Sequence, residues 1–426
     1  MSLVNNLNHK LSSSLRSPSD RAIPRVLRII VYLFVFSTIF DSFSFSFIRS
    51  SDNISRILGF CMLCAFLLFR ATKIRIVEKD LKWHLVFFLL IFLEEIYRGF
   101  SLSNAGLLLS FRHYFSYFQV LLMYFIIRDV THDSRAIRGI MSVYFLTYLT
   151  ISLMNNFNLS SFTATHGDRI GVVGTNHNVL ALLYATILIC IFSWLLVSWS
   201  GYFWQNILLI TAGASMLIGL VRTGSRGGTL ALVMGLLVAT FTHLRLRRLP
   251  AYIILLPLVC GGALYAIMTS DVLTKRIEMT LEEGDSTRTE LTQDSLELFK
   301  EKPLIGHGSS YVEILGNRLG RGPIASHNTY LQILLSFGIL GFMPFIIGIA
   351  YTIKSAWNKR FSVWSGMFFT VLLATLIFAI FGHLGYKKHF WIMIALTSNI
   401  GVMAADAKDP ATSRRTHDYD KVSHLC

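Results

Sequence analysis

Four short motifs carry side chains whose types and spacing suit an anionic, oxygen-rich substrate. In the first, Arg222-Thr-Gly-Ser-Arg226-Gly-Gly, two arginines stand four residues apart among three glycines. Guanidinium forks and exposed backbone N–H groups suit phosphate oxygens. A tight turn whose arginines reach lipid head groups is the plainer alternative. The nucleotide-binding pattern GxxxxGK[ST] is absent. In the second, Thr287-Arg288-Thr289-Glu290 fits a capping box, Leu291, Leu298 and Phe299 follow at helical spacing, and Pro303 ends the run. This predicts a helix over about 288–300 with Arg288 in its first turn, where a cation opposes the helix dipole unless an anion is bound. The third, Pro303-Leu-Ile-Gly306-His307-Gly308, reads as a chain-reversing turn.

The fourth motif is Ser326-His327-Asn328-Thr329-Tyr330-Leu331-Gln332, followed by Leu340-Gly341 in an apolar run. Ser326 reads as a helix N-cap. His327 then stands at the positive end of a helix, which disfavours imidazolium and keeps the ring able to accept a proton. A histidine that only hydrogen-bonds at the membrane interface is the alternative. Gly174-Thr-Asn176-His177-Asn178, after His166, Asp168 and Arg169, either lines a sugar site or starts a span. Arg112 and His113 lie inside an apolar run and read as structural partners of Glu94, Glu95 or Asp41. Cys61 and Cys64 form a CxxC inside an apolar run with no second Cys/His pair nearby, and read as small buried hydrophobes.

The elements that must hold these motifs are membrane helices. Of 426 residues 53% are hydrophobic and 15% charged, with a mean hydropathy of +0.56. Soluble domains carry about 25% charged residues, so a single-core soluble enzyme and a disordered chain are both excluded. Candidate spans lie near 26–47, 54–69, 83–97, 106–127, 139–154, 174–198, 202–221, 227–243, 251–268, 329–352, 362–380 and 385–404. No long alternation suggests a barrel. The +15 net charge falls in basic clusters between spans, the signature of membrane topology rather than nucleic-acid binding. The fold class expected is an all-α polytopic membrane protein with about twelve helices. Residues 1–25 form a cytoplasmic N-terminal segment, 26–404 the membrane domain, and 405–426 a cytoplasmic tail. The alternation of Lys and Arg puts both ends inside and a large loop, about 270–326, outside.

Taken in order, TGSRGG, an arginine opening a loop helix, P-L-I-G-H-G and S-H-N-x-Y-L-Q-x-L-L-x-x-G-I-L-G resemble the O-antigen ligase and O-antigen polymerase superfamily of bacterial membrane glycosyltransferases. The resemblance is sharpest over about 174–342. It implies an inner-membrane enzyme with its site facing the periplasm and no metal or other cofactor. The implied donor is a glycan on undecaprenyl diphosphate. The implied acceptor is a hydroxyl of the lipid A core for ligases, or of a second carrier-linked glycan for polymerases. By position Arg226, Arg288 and His327 match the family's catalytic residues. The family pattern leads one to expect tryptophan four residues after Arg288, where this chain has Thr292.

Physical reasoning supports the same chemistry. Arginines can stabilise a departing diphosphate through bidentate contacts. Arg226 and Arg288 are expected to clamp it, with Arg222, Arg276, His177 and Asn328 as further substrate-binding residues. His327 is expected to deprotonate the acceptor hydroxyl or to help hold the phosphate, and attack from the face opposite the leaving diphosphate would invert configuration. The basic outer group Arg222, Arg226, Lys275, Arg276, Arg318 and Arg321 would suit a phosphorylated lipid A core, and this favours ligase over polymerase. A lipid-linked sugar flippase or transporter is the competing class. It would need ionisable groups and broken helices near the bilayer midplane.

Overall fold

The computed structural model describes residues 23–39, 52–70, 79–99, 104–132, 134–157, 163–166, 169–172, 176–198, 203–243, 286–360 and 363–399, with positions 257, 261, 274 and 278. Among them the chain runs α1 (Arg25–Ile39), α2 (Asp52–Arg70), α3 (Lys79–Gly99), α4 (Asn104–Val130) and α5 (Ser134–Asn156). A hairpin of β1 (Thr163–His166) and β2 (Arg169–Val172) comes next. Then follow α6 (His177–Ser198), α7 (Phe203–Arg222), α8 (Arg226–His243), α9 (Ser286–Glu301), α10 (Tyr311–Arg318), α11 (Thr329–Asn358), α12 (Val363–Phe378) and α13 (Lys388–Ser398). The hairpin is an exception to the all-α expectation: its strands pair antiparallel, with Thr163 opposite Val172 and His166 opposite Arg169. The expected span at 251–268 apart from positions 257 and 261, the tail at 405–426, Arg276 and Asp168 lie outside the described residues.

Four helices among the described residues are long and apolar enough to cross a membrane: Arg135–Asn156, His177–Val197, Phe203–Arg222 and Thr329–Asn358. Their places in the bundle follow from which faces are apolar. Helix α6 is apolar nearly all round, and 83% of its apolar window is buried against 39% for α7, so α6 is central and α7 peripheral. It packs on α7, α8 and α12. The approach to α8 is close: a Cβ on Gly228 would stand 2.4 Å from the Ala181 methyl. On α1 the residues Val26, Ile29, Leu33 and Phe36 form an exposed apolar stripe, a surface suited to lipid rather than water.

Two features of the far helices hold the candidate site. Trp391 of α13 is fully buried, stacks on Phe87 and tilts against Phe88 of α3 at 4.8 Å between ring centroids. Its indole N–H donates to the Gly385 carbonyl at 2.7 Å, which ties the connection between α12 and α13 to this aromatic core.

Helix α11 is broken at Gly338, whose φ of 59° and ψ of −164° are non-helical. The groups freed by the break do not face lipid. Ile339 N–H donates to Pro303 O at 2.8 Å, Leu340 N–H to Leu304 O at 3.1 Å, and His307 N–H to Leu335 O. The segment 303–307 therefore plugs the break. Its sequence, expected only to reverse the chain, supplies the missing partners that a membrane-embedded backbone requires.

Candidate active site

The arginine turn comes first in the chain. Thr223, Gly224 and Ser225 are buried, and Gly224 takes φ of 61° to leave α7. Ser225 caps α8: its hydroxyl accepts from Gly228 N–H at 3.2 Å. This corrects the expectation of exposed amides, because the turn is packed and the Gly228 N–H is already used. Arg222 donates to the Asn155 carbonyl at 2.8 Å and so caps the end of α5. Arg226 is half-buried at the first position of α8, and the next residue, Gly227, lies against Phe378 and Phe381.

Phe381 begins a strip that connects the arginine turn to the histidine motif. Thr329 N–H donates to Ala379 O at 2.8 Å, and its hydroxyl donates to Gly382 O at 2.6 Å. The same hydroxyl accepts from Leu384 N–H at 2.8 Å. Thr329 thus clasps the chain on both sides of His383. The cap of α11 is Asn328, whose side-chain oxygen accepts from Tyr330 N–H at 2.9 Å and Leu331 N–H at 3.2 Å. The expectation for Ser326 as cap is corrected by two residues. Ser326 instead donates to the Asn328 carbonyl and hydrogen-bonds the buried Tyr311 hydroxyl. Asn328, expected to bind substrate, has its oxygen committed to the helix.

His327 stands just before this cap with φ of 51°, the one positive φ outside glycine among the described residues. A left-handed residue other than glycine costs about 1–2 kcal/mol. The Asn328 cap and the Thr329 clasp hold the chain in that shape and leave the imidazole partly exposed.

Arg288 lies near it. Helix α9 runs Ser286–Glu301, close to the expected 288–300, although Thr287 sits inside its first turn rather than at the cap. Leu291 and Leu298 are buried against Tyr311, Leu315 and Leu335. The buried His307 ring holds the Leu298 carbonyl at 2.9 Å. The plug in α11 therefore also anchors α9. Partial burial, and then the Arg288 charge, lower the His327 imidazole below its usual range.

His383, which none of the four sequence motifs contains, stands beside His327. Its ring centroid lies 5.6 Å from that of His327 and 5.8 Å from that of Tyr386. The Lys387 ammonium sits 5.1 Å from the Tyr386 ring centroid. Burial first, then Lys387 and His327, push His383 down to about 4. The signal available in the sequence was Gly382-His383-Leu384-Gly385, a second glycine-bracketed histidine like Gly306-His307-Gly308.

Along the outer face of α9 runs a groove of about 530 Å3, lined by Arg288, Thr289, Thr292, Gln293, Leu296, Glu297 and Lys300. Thr292 contributes a small polar wall where the family pattern suggested tryptophan. Arg318 pairs with Glu301, and Arg321 with Glu290 at 3.5 Å. Two arginines of the expected basic outer group thus brace α9. His177 opens α6, in the connection that follows the hairpin.

Four membrane-length helices among the described residues point to a multi-pass membrane protein. Residues 211–346 match the family described as O-Antigen ligase, the likeness that the four motifs suggested. The matched stretch holds Arg226, Arg288 and His327 and ends before His383. No curated protein matches the chain.

Proposed function

We propose that the protein transfers a glycan from undecaprenyl diphosphate to an acceptor hydroxyl on the periplasmic side of the inner membrane. The topology is about twelve spans with the 270–326 region outside. One observation supports this reading: the Thr329 clasp and the contact of Gly227 with Phe378 and Phe381 link the Arg226 turn to the His327 turn, and the Arg288 charge acts on His327. Arg226 and Arg288 stabilise the diphosphate as the bond from its oxygen to the anomeric carbon breaks. His327 takes the proton from the acceptor hydroxyl as the new carbon–oxygen bond forms on the opposite face, so configuration inverts. The sugars lie along the α9 groove, whose threonines and Gln293 suit hydroxyl partners. No metal is required, because guanidinium groups carry the charge.

The acceptor we favour is the lipid A core. Joining carrier-linked repeat units is the second reading. It gains ground because Arg318 and Arg321 are paired with carboxylates rather than presented to a phosphorylated core. Transport is disfavoured. Broken helices in transporters open polar backbone toward a substrate, whereas the break at Gly338 is filled by 303–307.

The test is transfer in proteoliposomes from a carrier-linked glycan to each acceptor. Arg226→Ala, Arg288→Ala and His327→Ala should each lower turnover about 100- to 1,000-fold, the size typical of losing one charge-stabilising or proton-transfer group. Near-normal turnover by both arginine variants overturns the clamp. Activity should persist in excess chelator, and a loss restored by divalent metal overturns the metal-free mechanism. Product size separates the two acceptors, since polymerisation lengthens the carrier-linked chain and ligation moves it to lipid A core.

A further inference from the structure

We infer that the connection between α12 and α13 is the second wall of the phosphate site, with Lys387 and His383 contacting the carrier diphosphate opposite Arg288. The inference rests on the glycosyl-transfer reading and adds residues beyond the stretch that matches the family.

Three observations carry it. First, the groups are successive neighbours: the Arg288 charge acts on His327, the His327 ring lies 5.6 Å from that of His383, the His383 ring 5.8 Å from that of Tyr386, and the Lys387 ammonium 5.1 Å from the Tyr386 ring. The group holds two cations and two imidazoles. Such a cluster suits a diphosphate, whose charge is spread over two phosphorus centres.

Second, the wall is rigid. The Thr329 hydroxyl bonds the chain on both sides of His383, and Trp391 holds the Gly385 carbonyl. Lys388, the neighbour of Lys387, donates to the Ser55 hydroxyl of α2 at 2.8 Å, which ties the start of α13 to a second helix.

Third, the His383 tautomer is constrained. Its Nδ1 is enclosed and has no hydrogen-bond partner. An enclosed N–H without an acceptor is costlier than an enclosed lone pair, so the proton belongs on Nε2. His383 is then a neutral donor, able to give one hydrogen bond to a phosphate oxygen and unable to act as a second charge.

The probes are undecaprenyl diphosphate and a bisphosphorylated lipid A, titrated into the purified full chain in nanodiscs. Lys387→Met should weaken undecaprenyl diphosphate about tenfold, the usual size for one charged hydrogen bond, and His383→Gln by a smaller factor. Lys387→Arg should restore the affinity, and lipid A affinity should stay unchanged in all three. Equal carrier affinity in wild type and variants overturns the inference, as does a loss confined to lipid A. A wild-type protein that does not bind the carrier at all sinks the glycosyl-transfer reading as well. Acylation of Lys387 in the wild type, followed by mass spectrometry, needs no variant: undecaprenyl diphosphate should slow it, while undecaprenol should not. Labelling that is indifferent to the carrier overturns the inference even if the variants fail to fold.

Discussion

Gly338 meets Leu304 so closely that a Cβ on the glycine would stand 2.2 Å from the Leu304 carbonyl oxygen. This contact joins the break in α11 to the plug that fills it. Through His307 it also sets the end of α9, the helix that begins near Arg288.

Gly338→Ala should therefore be severe, combining a forbidden contact with a positive φ. Gly320→Ala is the control, since Gly320 has φ of 61° but open space around it. The control should cost about 1–2 kcal/mol, the strain of the left-handed conformation alone. Gly338→Ala should lose folded yield, or fall much further in Tm and lose transfer with it. Equal Tm values for the two variants would show that the plug is not a structural necessity.

His327 has its pKa lowered first by burial and then by Arg288. The neutral ring should therefore persist below the ordinary histidine range, and proton acceptance should fail only as pH drops through the lowered value. In Arg288→Gln one of the two causes is gone, so the transition should move up in pH without reaching an exposed histidine's. Carbethoxylation of His327, followed by mass spectrometry across pH, reads this directly. An unmoved midpoint contradicts the pairing.

His383 gives a stability prediction of defined sign. Its folded value of about 4 lies below the ordinary histidine value of 6.5, so the unfolded chain binds the proton first. Stability from this group is complete above about pH 6.5 and falls as pH drops toward 4. Tm should decline through that window, and His383→Gln should flatten part of the decline.

Arg222 is held by the carbonyls at the end of α5. Arg222→Met should lower Tm while leaving KM for the donor near wild type. A raised donor KM at unchanged Tm would return Arg222 to the substrate site.

Asn328 and Ser326 separate cap from neighbour. Asn328→Ala should cost about 1 kcal/mol through loss of the cap, and Asn328→Asp should keep most of it. Ser326→Ala should leave α11 intact, because Ser326 bonds the Asn328 carbonyl and Tyr311 instead. Tm by scanning calorimetry or fluorescence distinguishes them.

Much of the fold was legible because span length and apolar content are local properties. The expected runs at 202–221 and 362–380 became Phe203–Arg222 and Val363–Phe378. The loop helix was readable for the same reason: its apolar spacing and Pro303 act within one turn of the chain. The β1–β2 hairpin was missed, since two four-residue strands leave too short a pattern to detect.

Which polar groups are occupied was not legible. Arg222 has the α5 carbonyls as partners, more than sixty positions away, and nothing in its own motif shows this. The choice of Asn328 over Ser326 as cap turns on one left-handed residue between them. His383 entered the site only because Thr329 reaches across more than fifty residues to hold it.

The amino-acid sequence by itself determined that this is a helical membrane chain with arginine and histidine motifs suited to phosphate chemistry, because hydropathy and side-chain type are local. Only the tertiary structure decided which of those groups face one another. Hydrogen bonds between distant segments made that choice, and no local pattern encodes them.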